Sequence, residues 1–109
     1  MRTLKFIVNN QSITPDPQCD FSNITPGTEG HLTAEFTFSK DWNGYVKAAT
    51  FYSLMGTEYT PQILKDGKSC VIPAEALKRR VFKIQVFGKK GDVKIQTNRI
   101  TVKQDGGIK

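Results

Sequence analysis

The stretch His31 to Phe51, HLTAEFTFSKDWNGYVKAATF, constrains the fold more than any other part of the chain. In its first half Leu32, Ala34, Phe36 and Phe38 alternate with Thr33, Glu35, Thr37 and Ser39. A period of two puts successive side chains on opposite faces of a sheet, so this segment predicts a strand with one apolar face and one solvated face. Such a strand needs a second layer over its apolar side. The only tryptophan, Trp42, follows in the turn-like Asp41-Trp42-Asn43-Gly44, and a second apolar segment, Tyr45 to Tyr52, comes directly after it. Two strands and an anchoring indole form the expected nucleus.

Other segments repeat the pattern. Leu4, Phe6 and Val8 in Met1 to Asn9 predict an opening strand. From Asn9 to Gly30 the residues become Asn, Ser, Pro, Asp, Thr and Gly, and Pro15, Pro17 and Pro26 remove backbone donors. A long connection is expected there, with a short edge strand around Gln18 to Phe21 and with Phe21 and Ile24 pinning the loop to the core. Pro61 demotes Thr57 to Leu64 to an edge or bulged strand. Asp66-Gly67 is a hairpin signal, followed by a short strand at Ser69 to Ile72. Pro73 to Leu77 carries good helix formers over a single turn, which predicts a corner between two sheets near residues 73–78. Phe82, Ile84 and Val86 point one way and Lys83, Gln85 and Phe87 the other. After the turn at Gly88 to Asp92, Val93, Ile95 and Thr97 resume the alternation. The parity then shifts to Ile100 and Val102, which asks for a bulge near Asn98-Arg99.

The fold class that follows is all-β: an antiparallel two-sheet sandwich, immunoglobulin-like, with about seven or eight strands and one short helical turn. An oligonucleotide-binding type barrel is the alternative. With 109 residues the chain builds one core, placed in residues 1–104, with 105–109 as a flexible tail. The shared core is expected at Trp42, Phe36, Phe38, Phe51, Phe82, Ile84, Val86, Ile95 and Val102. Cys19 and Cys70 match neither a zinc nor a CxxC spacing, and are expected to be reduced and buried. Asn10-Gln11-Ser12 and Asn23-Ile24-Thr25 fit the glycosylation pattern by chance. No apolar run approaches the roughly 18 residues that span a bilayer, so a soluble chain without membrane contact is expected.

Catalytic chemistry finds no footing in the sequence. His31 is the sole histidine, at a strand start. The acids are scattered singly, no phosphate-binding loop is present, and no metal-ligand spacing occurs. A non-enzyme without cofactor or metal is expected. Charge is more informative, because residues 1–60 carry a net −2 and residues 61–109 a net +8. Lys78, Arg79, Arg80, Lys83, Lys89, Lys90, Lys94 and Arg99 concentrate on the last strands and their turns. A positive edge or face could meet nucleic acid; a solvated edge guarded by lysines is the stronger reading of the charge alone. Only Phe87 stands on the polar face of its strand to stack a base, and single-strand readers present several aromatics.

Cys70-Val71-Ile72-Pro73-Ala74-Glu75-Ala76-Leu77, then Val81-Phe82-Lys83-Ile84-Gln85-Val86-Phe87-Gly88 and Thr97-Asn98, resemble a pattern in small virion-associated proteins of phages and prophages of Gram-positive bacteria. These include proteins similar to the immunoglobulin-like N-terminal domain of the baseplate upper protein family. Phe36-Thr37-Phe38, Trp42-Asn43-Gly44 and Lys47 to Phe51 fit it too, so the resemblance spans roughly residues 30 to 103. It implies a structural role in the virion, in a protein made in the bacterial host cytoplasm: decoration of a capsid or tail, or a joint at a baseplate. With no fibre segment behind the domain in this sequence, decoration or adaptor work is the expectation. The implied partners are phage structural proteins, a second copy of the chain included. A small basic β domain that binds single-stranded nucleic acid is the competing reading. The residues expected to meet a partner are Lys83, Lys89, Lys90, Lys94, Arg99, Phe21 and Ile24.

Overall fold

The computed structural model describes residues 2–21, 31–78 and 80–103 of the chain. Among them nine strands form two packed sheets. In the first sheet the order is β2 (Ser12–Pro15), β1 (Arg2–Asn9), β3 (Leu32–Phe38), β6 (Ser69–Val71). In the second it is β5 (Gln62–Ile63), β4 (Val46–Ser53), β7 (Val81–Lys90), β8 (Val93–Gln96), with β9 (Ile100–Lys103) also on β7. The expected all-β sandwich is therefore the observed architecture.

One pairing departs from the antiparallel expectation. β1 and β3 run parallel, in a register that sets Leu4 beside Ala34, Phe6 beside Phe36 and Val8 beside Phe38. The cause is the segment read from sequence as a loop. Asn10, with φ of 60°, turns the chain through a tight β1–β2 hairpin, and β2 runs back along β1. The chain is thus returned to the end where β1 began, and β3 starts there in the same direction. The edge strand accordingly lies at Ser12–Pro15 and not around Gln18 to Phe21. In Ser12-Ile13-Thr14 each residue keeps its backbone donor and Ile13 is fully buried. Asp16 instead captures the Gln18 amide on its carboxylate and the Cys19 amide on its carbonyl, which fixes a turn. Phe21 does pack on the core, edge-on to Phe6 at 5.5 Å; Ile24 and the 105–109 tail lie outside the described residues.

Three connections cross between the sheets. The first is a 3-10 turn at Lys40–Trp42, which drops the indole into the core. There the indole N–H donates to the Asn10 carbonyl at 2.7 Å. The second is Asp66-Gly67. It is not a hairpin, because β5 pairs with β4 in the second sheet and β6 with β3 in the first. The Asp66 carboxylate accepts from the Lys68 and Ser69 amides and from the Ser69 hydroxyl, and this leads the chain out of one layer into the other. The third is a short helix, α1 (Ala74–Leu77), the corner that Pro73 and its neighbours predict.

Every core position expected from sequence belongs to one cluster or packs against it, with Phe38 and Ile95 partly buried and the rest buried. Phe21, Phe6, Phe36, Phe38, Trp42 and Tyr45 form a continuous row of ring contacts at 5.2 to 6.3 Å. The parity shift after β8 occurs where expected, at Thr97-Asn98-Arg99. Asn98 accepts from the Ile13 amide and donates its own amide to the Gln11 carbonyl, so the break in one sheet holds the edge strand of the other.

Candidate interaction surface

The outer face of the second sheet gathers four of the eight basic residues singled out in the sequence, Lys83, Lys89, Lys94 and Arg99. Because Phe82, Ile84 and Val86 face inward, Lys83, Gln85, Phe87 and Lys89 face outward, and the register carries this parity across the sheet. One outward row runs Ile63, Ala48, Phe87, Gln96. The next runs Val46, Lys89, Lys94. Val46 is 68% and Ile63 61% exposed, beside a half-buried Phe87. The result is an apolar strip bordered by cations on an open sheet.

Lys89 and Lys94 are directly opposite across the β7–β8 hairpin, and both are exposed. No described acid forms an ion pair with either; an ion pair between Lys5 and Glu35, at 3.9 Å, lies on the first sheet. Like charges facing one another across strands oppose the pairing. Lys90 is separated from them. Its position is on the inward side, and its ammonium group sits over the Tyr45 ring at 5.9 Å.

Towards the middle of this face the polar side chains bind one another. The Tyr52 hydroxyl and the Arg99 Nε–H both donate to Gln85 Oε1 at 3.1 Å, and the Gln85 amide donates to the Thr97 carbonyl at 2.6 Å. The Arg99 guanidinium lies 3.7 Å from the centre of the Tyr52 ring, which is only 3% exposed. Burial raises the Tyr52 pKa, and the Arg99 charge pulls it partly back. Arg99 is thus a packed roof over the sheet, while Lys83 stands half-buried between Tyr52 and Thr101. This network was not foreseen. Its signal was the polar alternation of Thr50, Tyr52 and Gln85 on strands whose outward positions need not be buried.

Of the residues singled out, the structure unites Lys83, Lys89, Lys94 and Arg99 on one face, and sets Lys90 on the other side of the hairpin. Phe21 is on neither: it borders a small groove with Pro15, Val102 and Lys103 between the two sheet edges. Cys19 and Cys70 are unpaired and half-buried instead of fully buried. Desolvation, with the Asp66 charge adding to it, pushes the Cys70 thiol up to about 12. His31 is exposed at the entrance to β3. No three His, Cys, Asp or Glu among the described residues are grouped to hold a metal ion. No described helix is long and apolar enough to cross a membrane.

Comparison with known proteins finds no family model and no curated protein that matches this chain. Among solved structures the chain is similar to the N-terminal domain of phage TP901-1 ORF48. The TM-score is 0.50 at 11% identity, over 93% of this chain and 96% of that one. At that identity the likeness is one of fold.

Proposed function

We propose that this chain is a non-enzymatic structural module of a phage particle, a decoration or adaptor domain of a head, tail or baseplate, and that it docks on a partner protein through the outer face of its second sheet. The observation that carries the reading is the Lys89–Lys94 pair, opposed across strands and unneutralised, beside exposed Val46 and Ile63. A face that served only solubility would gain stability from one acid in that row; two facing cations next to an apolar strip suit an acidic partner surface. Self-association through this face would set those cations against each other. The phage origin of the structural neighbour supports the setting of the reading. An exposed lone histidine and a Cys70 thiol that stays protonated at neutral pH support a module without catalysis.

The test is co-sedimentation with assembled heads and with assembled tails. The parent should travel with one of them, and Lys89→Glu with Lys94→Glu should not, while both remain folded. Equal co-sedimentation of parent and variant would place the contact elsewhere. A parent that binds no particle component but retains single-stranded DNA at physiological salt would give the function to nucleic-acid binding.

A further inference from the structure

The opposite end of the same sheet carries a second surface. β7 starts at Val81 and passes Lys89 eight residues on, about 26 Å away at a strand's rise. At the Val81 end a cleft of about 840 Å³ opens between the turn that follows β4 and the segment that leads into β7. Leu54, Met55, Tyr59 and Val81 supply its apolar lining, and Lys78 and Arg80 its charge.

The turn needs none of its apolar side chains. It is closed by the Ser53 amide on the Thr57 carbonyl at 2.8 Å, the Thr57 amide on the Ser53 hydroxyl at 3.0 Å and the Gly56 amide on the Ser53 carbonyl at 3.0 Å. Gly56 supplies the positive φ of 95°. Polar residues at the tip would satisfy that geometry equally well. Instead Leu54 and Met55 stand there, 59% and 91% exposed. On the facing wall Lys78 and Arg80 are exposed and have no carboxylate partner among the described residues. Glu58 does not line the cleft, although it stands between two residues that do; its backbone pairs antiparallel with Tyr52.

We propose that this cleft is a second docking site, for an acidic segment of a partner protein that carries an aliphatic or aromatic anchor. Leu54, Met55 and Val81 cover the anchor, and Lys78 and Arg80 meet the flanking carboxylates. Nucleic acid fits less well, since the walls are aliphatic and Tyr59 is the single ring for stacking. A second copy docked cleft to cleft would bring Lys78 and Arg80 against their own kind. The site stands independently of the hairpin-end contact. With both, the domain offers a contact at each end of one sheet, which is the arrangement that a joint between two components requires.

The experiment follows backbone amide shifts of the isotope-labelled full chain with three probes. One is an acidic peptide with a central Phe-Leu between aspartates and glutamates, one is the same peptide with serines replacing Phe-Leu, and one is oligothymidine. The first should shift residues 53–59 and 78–82, and the serine peptide should not. Leu54→Ser with Met55→Ser, and separately Lys78→Glu with Arg80→Glu, should each weaken the first peptide by about tenfold or more, with spectra that report an intact fold. No shift at the cleft with millimolar peptide, equal binding of the serine peptide or of oligothymidine, or undiminished affinity in both variants would overturn the proposal. None of these outcomes bears on the Lys89 and Lys94 contact, which is read on particles with different variants.

Discussion

Trp42 lies against the backbone of Gly88, so closely that a β-carbon added to Gly88 would sit 2.8 Å from the indole Cζ3 and 3.1 Å from Ile95 Cγ2. Gly88 is inside β7 and is buried; its value there is the absence of a side chain, since its φ is not positive. The indole is also fastened to the Asn10 carbonyl and has no room to retreat. Gly88→Ala should therefore destabilise the fold by about 1–3 kcal/mol, the usual cost of overpacking a filled core. A urea melt in which it costs less than about 0.5 kcal/mol would mean that Trp42 is free to move.

Phe82 is fully buried opposite Val102 in the register, with its ring 6.0 Å from Phe51. Phe82→Ala should cost about 3–5 kcal/mol, the range for emptying a buried aromatic site. Phe87→Ala, five residues further along β7 and of opposite parity on the half-open outer face, should cost much less. Denaturant midpoints of the two variants check the assignment of faces, and a reversed order would refute it.

The sequence states the faces of β1, β3 and β7 because alternation is written residue by residue, as in Leu4-Phe6-Val8 or Phe82-Ile84-Val86, whereas β4 buries Ala49, Thr50, Phe51 and Tyr52 in succession. It does not state which strands are neighbours. The parallel β1–β3 pair depends on the hairpin at Asn10-Gln11, two polar residues whose turn geometry comes from one αL asparagine, hidden in a stretch dominated by prolines. The role of Asp66-Gly67 was misread for a related reason, since the same dipeptide closes a hairpin or changes layers according to what the next strand pairs with. At the candidate surface the basic residues were legible as a cluster. That Lys90 leaves the cluster and Arg99 is consumed by Tyr52 and Gln85 follows from strand parity and packing that only the folded chain supplies.

Cys19 and Cys70 are free, so a reducing agent should leave the melting temperature unchanged. A drop above about 4 °C, roughly 1 kcal/mol for a domain of this size, would show a bond between them.

Cys70 also gives an alkaline signature. Its folded pKa of about 12 lies above the ordinary 9.0, because burial disfavours the thiolate. A raised pKa contributes stability that is complete below the unfolded value. That contribution is lost as pH rises from about 9 towards 12, where the unfolded thiol ionises and the folded one does not. Unfolding free energy should fall by up to about 1.4 kcal/mol per pH unit across that window from this group alone. Cys70→Ala should flatten the slope there, and an unchanged slope would mean that the thiol is solvated in the folded protein.

Lys89 and Lys94 permit the separation of stability from docking. In the parent the two cations oppose each other across the hairpin, so replacing one of them by an acid converts repulsion into attraction. Lys89→Glu should raise stability by about 0.2–1 kcal/mol at low salt, and the gain should shrink as added salt screens the pair. Reversing Lys94 as well restores a like-charge pair, now of two acids, and stability should return to near the parental value. Binding to particles should follow a different order. It should weaken with the single reversal and be abolished by the double one, because a partner surface reads the sum of the charges and not their mutual fit. If stability and docking change in parallel through the three proteins, the lysines act by holding the hairpin in shape; if the two orders diverge as described, the cations themselves are what the partner meets.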